Sequence, residues 1–528
     1  MRPSLRLLAT LVAAIALLPV AGAAADPFPV TSLANDGSGS LREAIEGANA
    51  RLGGDTIPIG VSGTIELEEA LPTVEDDVAI AGPGASSLTV EPSSGNEFRI
   101  FDFGFDITAA LSGVTVTGGV AEEGGGIRGV GTDLALIGVV VTGNEAVDVG
   151  DEDAFAAGGG VYNSGSLTVR ESRISDNSAA AIGGNQLSTV LGGGVMAWGA
   201  LTIDRSTISG NAAEAHGEAG RHTGALGGGL RVFGEPAVVE RSTISGNSVL
   251  AEGGLTNEAR GGGLQSNELS LTSSTVTGNS LYSIGAATGA NIYSEYEVLI
   301  RNTIIANAGG GSSCSTADFA LTSGGFNLDE DGSCGLGAST DQAGLVAGLD
   351  PVLRENGGPT PTHALLPGSI AIDRGNSFGS TSDQRGFPRP VDFPTRSNSE
   401  GGDGGDIGAF ELQPPAQTSQ PPSAPPLRVT QVPGDRTPPQ TRIVSGPARA
   451  GFERLAEFRF TATEPQSRFQ CKVDKRRWRG CASPFRRRVG AGRGAGRKHV
   501  FKVRAVDRFG NSDPTPARFG WRVKKVVG

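Results

Sequence analysis

Lysine is almost missing from this chain of 528 residues: there are six, and the first is Lys472. Aromatic residues make up 5% of the chain, with three Trp and four Tyr, so flat sugar-stacking faces are scarce. The four His and four Cys show no zinc-ligand spacing. Beyond the N-terminal stretch no apolar run is long enough to span a bilayer as a helix. No 3.6-residue apolar period appears, which excludes a chain built of amphipathic helices.

Glycine is abundant instead, at 82 residues, and much of it sits in near-copies of one segment. GGGVYNSGSLTVRESRISDNSA from Gly158 matches GGGVMAWGALTIDRSTISGNAA from Gly192, GGGLRVFGEPAVVERSTISGNSV from Gly227 and GGGLQSNELSLTSSTVTGNS from Gly261. A looser copy begins at Gly124 and a degraded one, GANIYSEYEVLIRNTIIANAG, at Gly289. The steps between starts are 34, 34, 35, 34 and 28 residues, a period that signifies a solenoid or array. Within each copy apolar residues alternate, as in Leu167/Val169 and Leu201/Ile203, the pattern of strands with one buried face. A second β-branched segment ends on the column Asn144, Asn177, Asn211, Asn247, Asn279 and Asn307. Stacked strands would place these amides in a hydrogen-bonded ladder, with the Gly triplets at corners. The predicted fold is all-β: a right-handed parallel β-helix followed by a small Ig-like or fibronectin-like β-sandwich. At ~4.8 Å per rung, six copies make roughly 30 Å of rod.

The repeat GGG-hydrophobic-Y-N…LTL…S-x-I-S-x-N-S-A resembles that of polymorphic outer-membrane proteins and related secreted β-helices. Their pectate-lyase-like fold also hosts polysaccharide lyases and hydrolases, so the fold leaves function open. Residues 26–97, with FPVTSLANDGSGSLREAIEGANA, resemble the CSLREA-type domain at the start of such proteins; the family's Cys is Ser40 here. Ser40 and Glu43 predict a capping box for a short helix, with Ala44, Ile45 and Ala48 inward, at the exposed end of the solenoid formed by residues 98–348. Residues 349–412 resemble the choice-of-anchor Q domain and are expected to cap the far end of the rod, with His363 a hydrogen-bonded turn residue.

Residues 413–437 are Pro-rich and read as a semi-rigid linker. Residues 438–528 have strands at short spacing and resemble Ig-like modules of extracellular proteins. The resemblance covers the hairpin Phe469, Cys471, Val473, Asp474, Trp478 and Cys481. Residues 1–25 carry Arg2, Arg6, an apolar run from Leu7 to Val20 and small residues before Asp26, which predicts a signal peptide. The chain is therefore expected to be secreted or cell-surface associated, monomeric, and without a transmembrane segment after cleavage. In that setting Cys314/Cys334 and Cys471/Cys481 read as two local disulfides.

Charge is uneven. Residues 436–528 carry 24 basic and 6 acidic residues, net +18, and the remainder 20 basic and 50 acidic, net −30. Lys475, Arg476, Arg477, Arg479, Arg486, Arg487 and Arg488 are candidate contacts for an anionic envelope polymer or polysaccharide; no nucleic acid is expected. Insertions of about a dozen residues between rungs, from Glu145–Ala157 to Ser280–Thr288, are expected to be a wall of surface loops. Rung columns such as Arg170/Asp204/Glu240 and Glu171/Arg205/Arg241/Ser273/Arg301 predict an ion-pair ladder rather than converging catalytic acids. No catalytic residue is assigned and no cofactor is expected, although Leu328-Asp-Glu-Asp-Gly332 and Asp403-Gly-Gly-Asp406 offer oxygen ligands that Ca²⁺ would accept. The expected function is non-catalytic adhesion or envelope/polysaccharide interaction. The alternative is a carbohydrate-active β-helix enzyme, a polysaccharide lyase or glycoside hydrolase.

Overall fold

The computed structural model describes residues 27–150, 153–183, 186–217, 222–234, 236–317, 321–414, 438–447, 450–451, 455–464, 467–481, 483–490, 497–506 and 511–524. The predicted signal peptide and nearly all of the linker lie outside these residues. The chain forms two compact units, Met1–Gln417 and Thr418–Gly528.

The first unit is a parallel β-helix. Each rung contributes a strand to a third sheet, then a first, then a second; Val161–Asn163, Leu167–Arg170 and Arg173–Ser175 form one example. The first sheet has 10 strands, the second 11 and the third 8. Neighbours pair in parallel and in register, as Leu167 beside Leu201 and Ile174 beside Ile208. Alternation places Leu167, Val169, Ile174 and Val161 inside, and one continuous core runs from Val30 to Cys334. The helix Leu41–Asn49 covers the N-terminal end. The Ser40 hydroxyl accepts from the Glu43 N–H, the Glu43 carboxylate accepts from the Gly39 N–H, and Leu41, Ala44, Ile45 and Ala48 are buried.

The corner from first to second sheet needs a left-handed residue. Gly113 and Gly138 supply it early, and Glu171, Arg205, Arg241, Ser273 and Asn302 later, at φ of 44–50°, a strain of order 1 kcal/mol each. Arg301 therefore does not belong to that column: it pairs with Thr272 in the first sheet.

The inter-rung insertions are not loops. Each goes out on one strand and returns on another, as Ser178–Gly183 and Leu187–Leu191, and the strands stack into sheets of six and five. The cause is a short alternation of small residues. Ala146, Ala179, Ala181, Ala213, Ala215, Val249 and Ala251 face Ala154, Ala156, Val190, Ala225 and Ala259 in a thin core of their own. The result is a two-layered fin standing along the rod.

Residues 349–412 run as a strap along the outer face of the second sheet and pack on its late strands at Ile304, Ala306 and Leu328. The Gln384 amide donates to Thr207 Oγ1 at 2.9 Å and accepts from Thr243 Oγ1 at 2.6 Å. His363 Nε2 and Ser245 Oγ are 2.7 Å apart, and the Ala409 N–H reaches Thr275 Oγ1 at 3.1 Å. Every residue of Thr207–Ser209, Thr243–Ser245, Thr275–Thr277 and Ile304–Ala306 is buried, whereas Val140–Thr142 keeps an open outer face. The strap is held together by buried pairs, Arg389 Nε to Glu411 Oε2 at 2.8 Å and Arg385 to Asp383 at 2.7 Å.

The second unit is a small, mainly antiparallel β-sandwich. Thr441–Ser445, Leu455–Ala462 and Phe485–Arg488 form one sheet. Arg468–Val473, Arg479–Cys481, Arg497–Val506 and Ala517–Val523 dominate the other. Phe458 stacks on Phe501 at 4.0 Å between centroids and meets Trp521 at 5.1 Å in the core.

Candidate functional site

The fin rises beside the third sheet, and the angle between them collects the unusual side chains of the rod. Third-sheet strands are three residues long; the first and third residues face the core, so the middle one faces out. Register aligns these middle residues as Asp102, Arg128, Tyr162, Met196, Arg231, Gln265, Tyr293 and Ser315, a stripe of roughly 35 Å at ~4.8 Å per rung. Met196 packs with Ala157 and Leu191 of the fin's returning strands, and Phe155, Tyr162, Trp198 and Leu226 pack against that cluster. Trp198 and Phe233 lie 4.6 Å apart between centroids, and Phe233 is 42% exposed. An aromatic platform on an otherwise aromatic-poor rod thus adjoins the fin.

Polar groups follow directly along the stripe. The Arg231 guanidinium lies 5.1 Å over Phe233 and is buried. Burial lowers its pKa to about 10 despite the nearby Glu295, so it stays charged at neutral pH. Arg231 Nε and, one rung on, Gln265 Oε1 are buried without a hydrogen-bond partner among the described residues, so each leaves one polar atom for water or another group to satisfy. Gln265 Nε2 donates to Glu295 Oε1 at 3.2 Å. Arg260 pairs with Glu258, lies 3.9 Å from Glu295 and covers Tyr293 at 4.8 Å. Toward the N-terminus Arg128 clasps Asp102 through two bonds of 2.7 and 3.1 Å. Of these rings Phe233 is exposed, Trp198 and Tyr162 are half-buried and Tyr293 is buried; a partly exposed aromatic pair beside guanidinium, carboxylate and amide groups is the kind of surface on which sugar rings stack.

The Asn column forms a buried ladder. Each side-chain amide donates to the next Oδ1, from Asn144 to Asn177 at 3.0 Å and from Asn177 to Asn211, Asn211 to Asn247 and Asn247 to Asn279 at 2.9 Å. Asn307 is not in it. By register Ala306 lies beside Thr277, so Asn307 falls one position early, at a left-handed corner with φ 51°. Asn291 replaces it, for in the degraded copy GAN stands where the others have GGG. The third glycine of each triplet lies against a ladder amide; at that place Asn291 takes the Asn279 amide at 2.9 Å. A second ladder went unread. Ser172, Ser206, Ser242, Ser274 and Thr303 pass hydrogen bonds from rung to rung, each hydroxyl accepting the backbone N–H of the preceding member. The Ser before each R-I-S or T-I-S segment was its signal.

Cys314–Cys334 and Cys471–Cys481 are disulfide-bonded. The acidic turn between the first pair spends its carboxylates on backbone N–H groups: Asp329 on Cys334, Glu330 on Asn307, and Asp331 on Ser313 and Ser333. Among the described residues no three His, Cys, Asp or Glu side chains are grouped to hold a metal ion. The charged columns pair as Arg170–Asp204 at 3.8 Å, Arg241–Asp204 at 2.7 Å, and Arg205 with Glu171. Lys475, Arg476, Arg477 and Arg479 lie on and just after the hairpin turn of the sandwich, and Arg486 and Arg487 on the strand Phe485–Arg488; the Arg488 side chain is outside the described set.

Fold and site together define a parallel β-helix carrying a fin, a lateral strap and an antiparallel β module. No family model, curated protein or solved structure matches the chain.

Proposed function

We propose that the chain is an extracellular polysaccharide-binding rod that recognises sugar chains in the angle between third sheet and fin. The observation that carries this reading is the Trp198–Phe233 platform next to the buried, incompletely bonded Arg231 and Gln265. Two disulfides fit an oxidising compartment, and among the described residues no helix is long and apolar enough to cross a membrane. Resemblance of the ends to CSLREA-type, choice-of-anchor Q and Ig-like segments supports export and a role in adhesion at the cell envelope. Binding without cleavage is favoured because Glu295, which acts on Arg231, shares Arg260 with Glu258.

The test is titration of the full chain against a panel of neutral and acidic polysaccharides, with a W198A/F233A variant and an assay for new reducing or unsaturated ends. Loss of at least about tenfold in affinity, equal to about 1.4 kcal/mol, is expected, with no ends released. Undiminished binding by the variant would exclude the groove, and release of sugar ends would make the protein an enzyme.

A further inference from the structure

The basic module holds a second site that the rod reading does not require. The hairpin Arg468–Cys481 is clipped by Cys471–Cys481, and together with the strand Phe485–Arg488 it places five cations around one open depression of about 490 Å³. Lys472, Arg476, Arg477, Arg479 and Arg487 line it, over a floor of Val473, Gly480 and Phe485. The acid in the turn is turned away from them. Asp474 accepts from the Val500 N–H at 2.9 Å and lies 2.8 Å from His499 Nδ1. No ion pair joins any of the five cations to a carboxylate among the described residues. Like charges held this close repel one another, so the array is least favourable empty and most favourable around an anion.

Two features narrow the ligand. The Trp478 ring is already contacted by Lys472 Nζ at 4.6 Å and Arg504 Cζ at 4.7 Å. It steadies these cations and does not line the depression. The depression therefore reads charge, whereas the groove of the rod reads rings. Among the described residues of the module Val444 is the large apolar side chain above a third exposure. Guanidinium forks match an oxyanion that presents two free oxygens side by side.

We infer that the depression formed by Lys472, Arg476, Arg477, Arg479 and Arg487 is a binding site for an anionic glycan chain whose repeating unit carries a carboxylate or phosphodiester group. Four guanidinium groups and one ammonium exceed what a single such group can use, so the site engages consecutive units of a polymer. Binding is electrostatic and weakens with salt.

The experiment measures binding of the full chain to polygalacturonate, poly(glycerol phosphate), single-stranded DNA and anionic phospholipid vesicles at low and high salt. Three variants accompany it: R476A/R477A/R479A, W198A/F233A, and R442A/R522A, which removes exposed charge outside the depression. The expected result is tight, salt-sensitive binding to the uronate or the phosphodiester polymer, the stronger identifying the group read. The triple variant should lose at least about tenfold and R442A/R522A less than about threefold. Equal losses in those two variants would reduce the site to diffuse charge and overturn the inference. So would preference for vesicles or DNA, or anion binding abolished by W198A/F233A alone. Failure of the rod groove with the triple-variant effect intact would sink the proposed function and leave this site standing.

Discussion

Asn279 donates its side-chain amide to Asn291 at 2.9 Å, although the two are twelve residues apart in a stack whose other links span more than thirty. The ladder is thus completed from a different corner of the rung. Removing an internal member strands its neighbour. In N211A the Asn177 N–H and one of its two side-chain amide hydrogens lose their acceptor in a buried place, the other staying on the Val141 carbonyl, at about 1–3 kcal/mol for each group left unpaired. N307A, outside the ladder and exposed, gives up one bond to Thr277 Oγ1 and leaves alanine at φ 51°, which should cost about 1 kcal/mol and less than N211A. Urea unfolding of the two variants compares them directly.

The glycine beside each amide is required for space rather than for backbone freedom. At Gly194 a methyl group would sit 2.7 Å from the Gly229 carbonyl oxygen and 2.8 Å from the Asn211 side chain. G194A should cost about 1–3 kcal/mol. G337A, with no heavy atom within 4 Å of the new methyl, should be nearly neutral. Thermal unfolding midpoints separate these outcomes.

The disulfide turn gives the rod a pH response. Burial raises Asp329 to about 6. At Asp331 burial opposes the charge, but hydrogen bonds from Ser333 and Ser313 outweigh it and hold the group at about 2. A raised folded-state pKa means that the native state binds more protons than the unfolded state between about pH 4 and 6. Stability from Asp329 is therefore full below pH 4 and is lost as pH rises through 6. D329N should flatten that part of the profile relative to the parent, whereas the loss below pH 4 caused by Asp331 should remain. Unfolding free energies at pH 3, 4, 5 and 7 report both.

The strap is expected to open before the rod does. Gln384 is buried and bonds to Thr207, Thr243, Thr360 and the Ser206 carbonyl. Q384A should lower the local opening free energy of residues 349–412 by about 1–3 kcal/mol. Hydrogen exchange would then show faster exchange in the strap and unchanged protection at Asn177, Asn211 and Asn247. Equal acceleration in both would mean that strap and rod open as one unit.

Much of the rod was legible because a solenoid repeats its physics. The alternation at Leu167/Val169, the Gly corners and the Asn column each recur until their meaning is plain. What stayed hidden depends on contacts distant in sequence or on register. The alanine alternation of the insertions was visible, yet Ala179 and Ala181 acquire a core only when Val190 returns opposite them. Asn307 was misread because it follows Ile304–Ala306 directly, whereas Gly278 separates Thr275–Thr277 from Asn279. Trp198, Phe233 and Tyr162 looked isolated because they lie more than thirty residues apart; stacking brings them to adjacent rungs beside Phe155. The docking of Gln384 on Thr207, 177 residues away, has no local signature at all.

The strap also decides how a chain of this kind can change its copy number. Its partners on Thr207, Thr243 and Thr275 belong to three successive rungs, spaced ~4.8 Å apart. Duplicating or deleting a repeat among them would carry Gln384, His363 and Ala409 out of step with the hydroxyls they meet. A repeat gained or lost upstream, where Val140–Thr142 has no strap over it, leaves that alignment intact. Growth in length is thus confined to the N-terminal half of the array, while the C-terminal half is held to a fixed count.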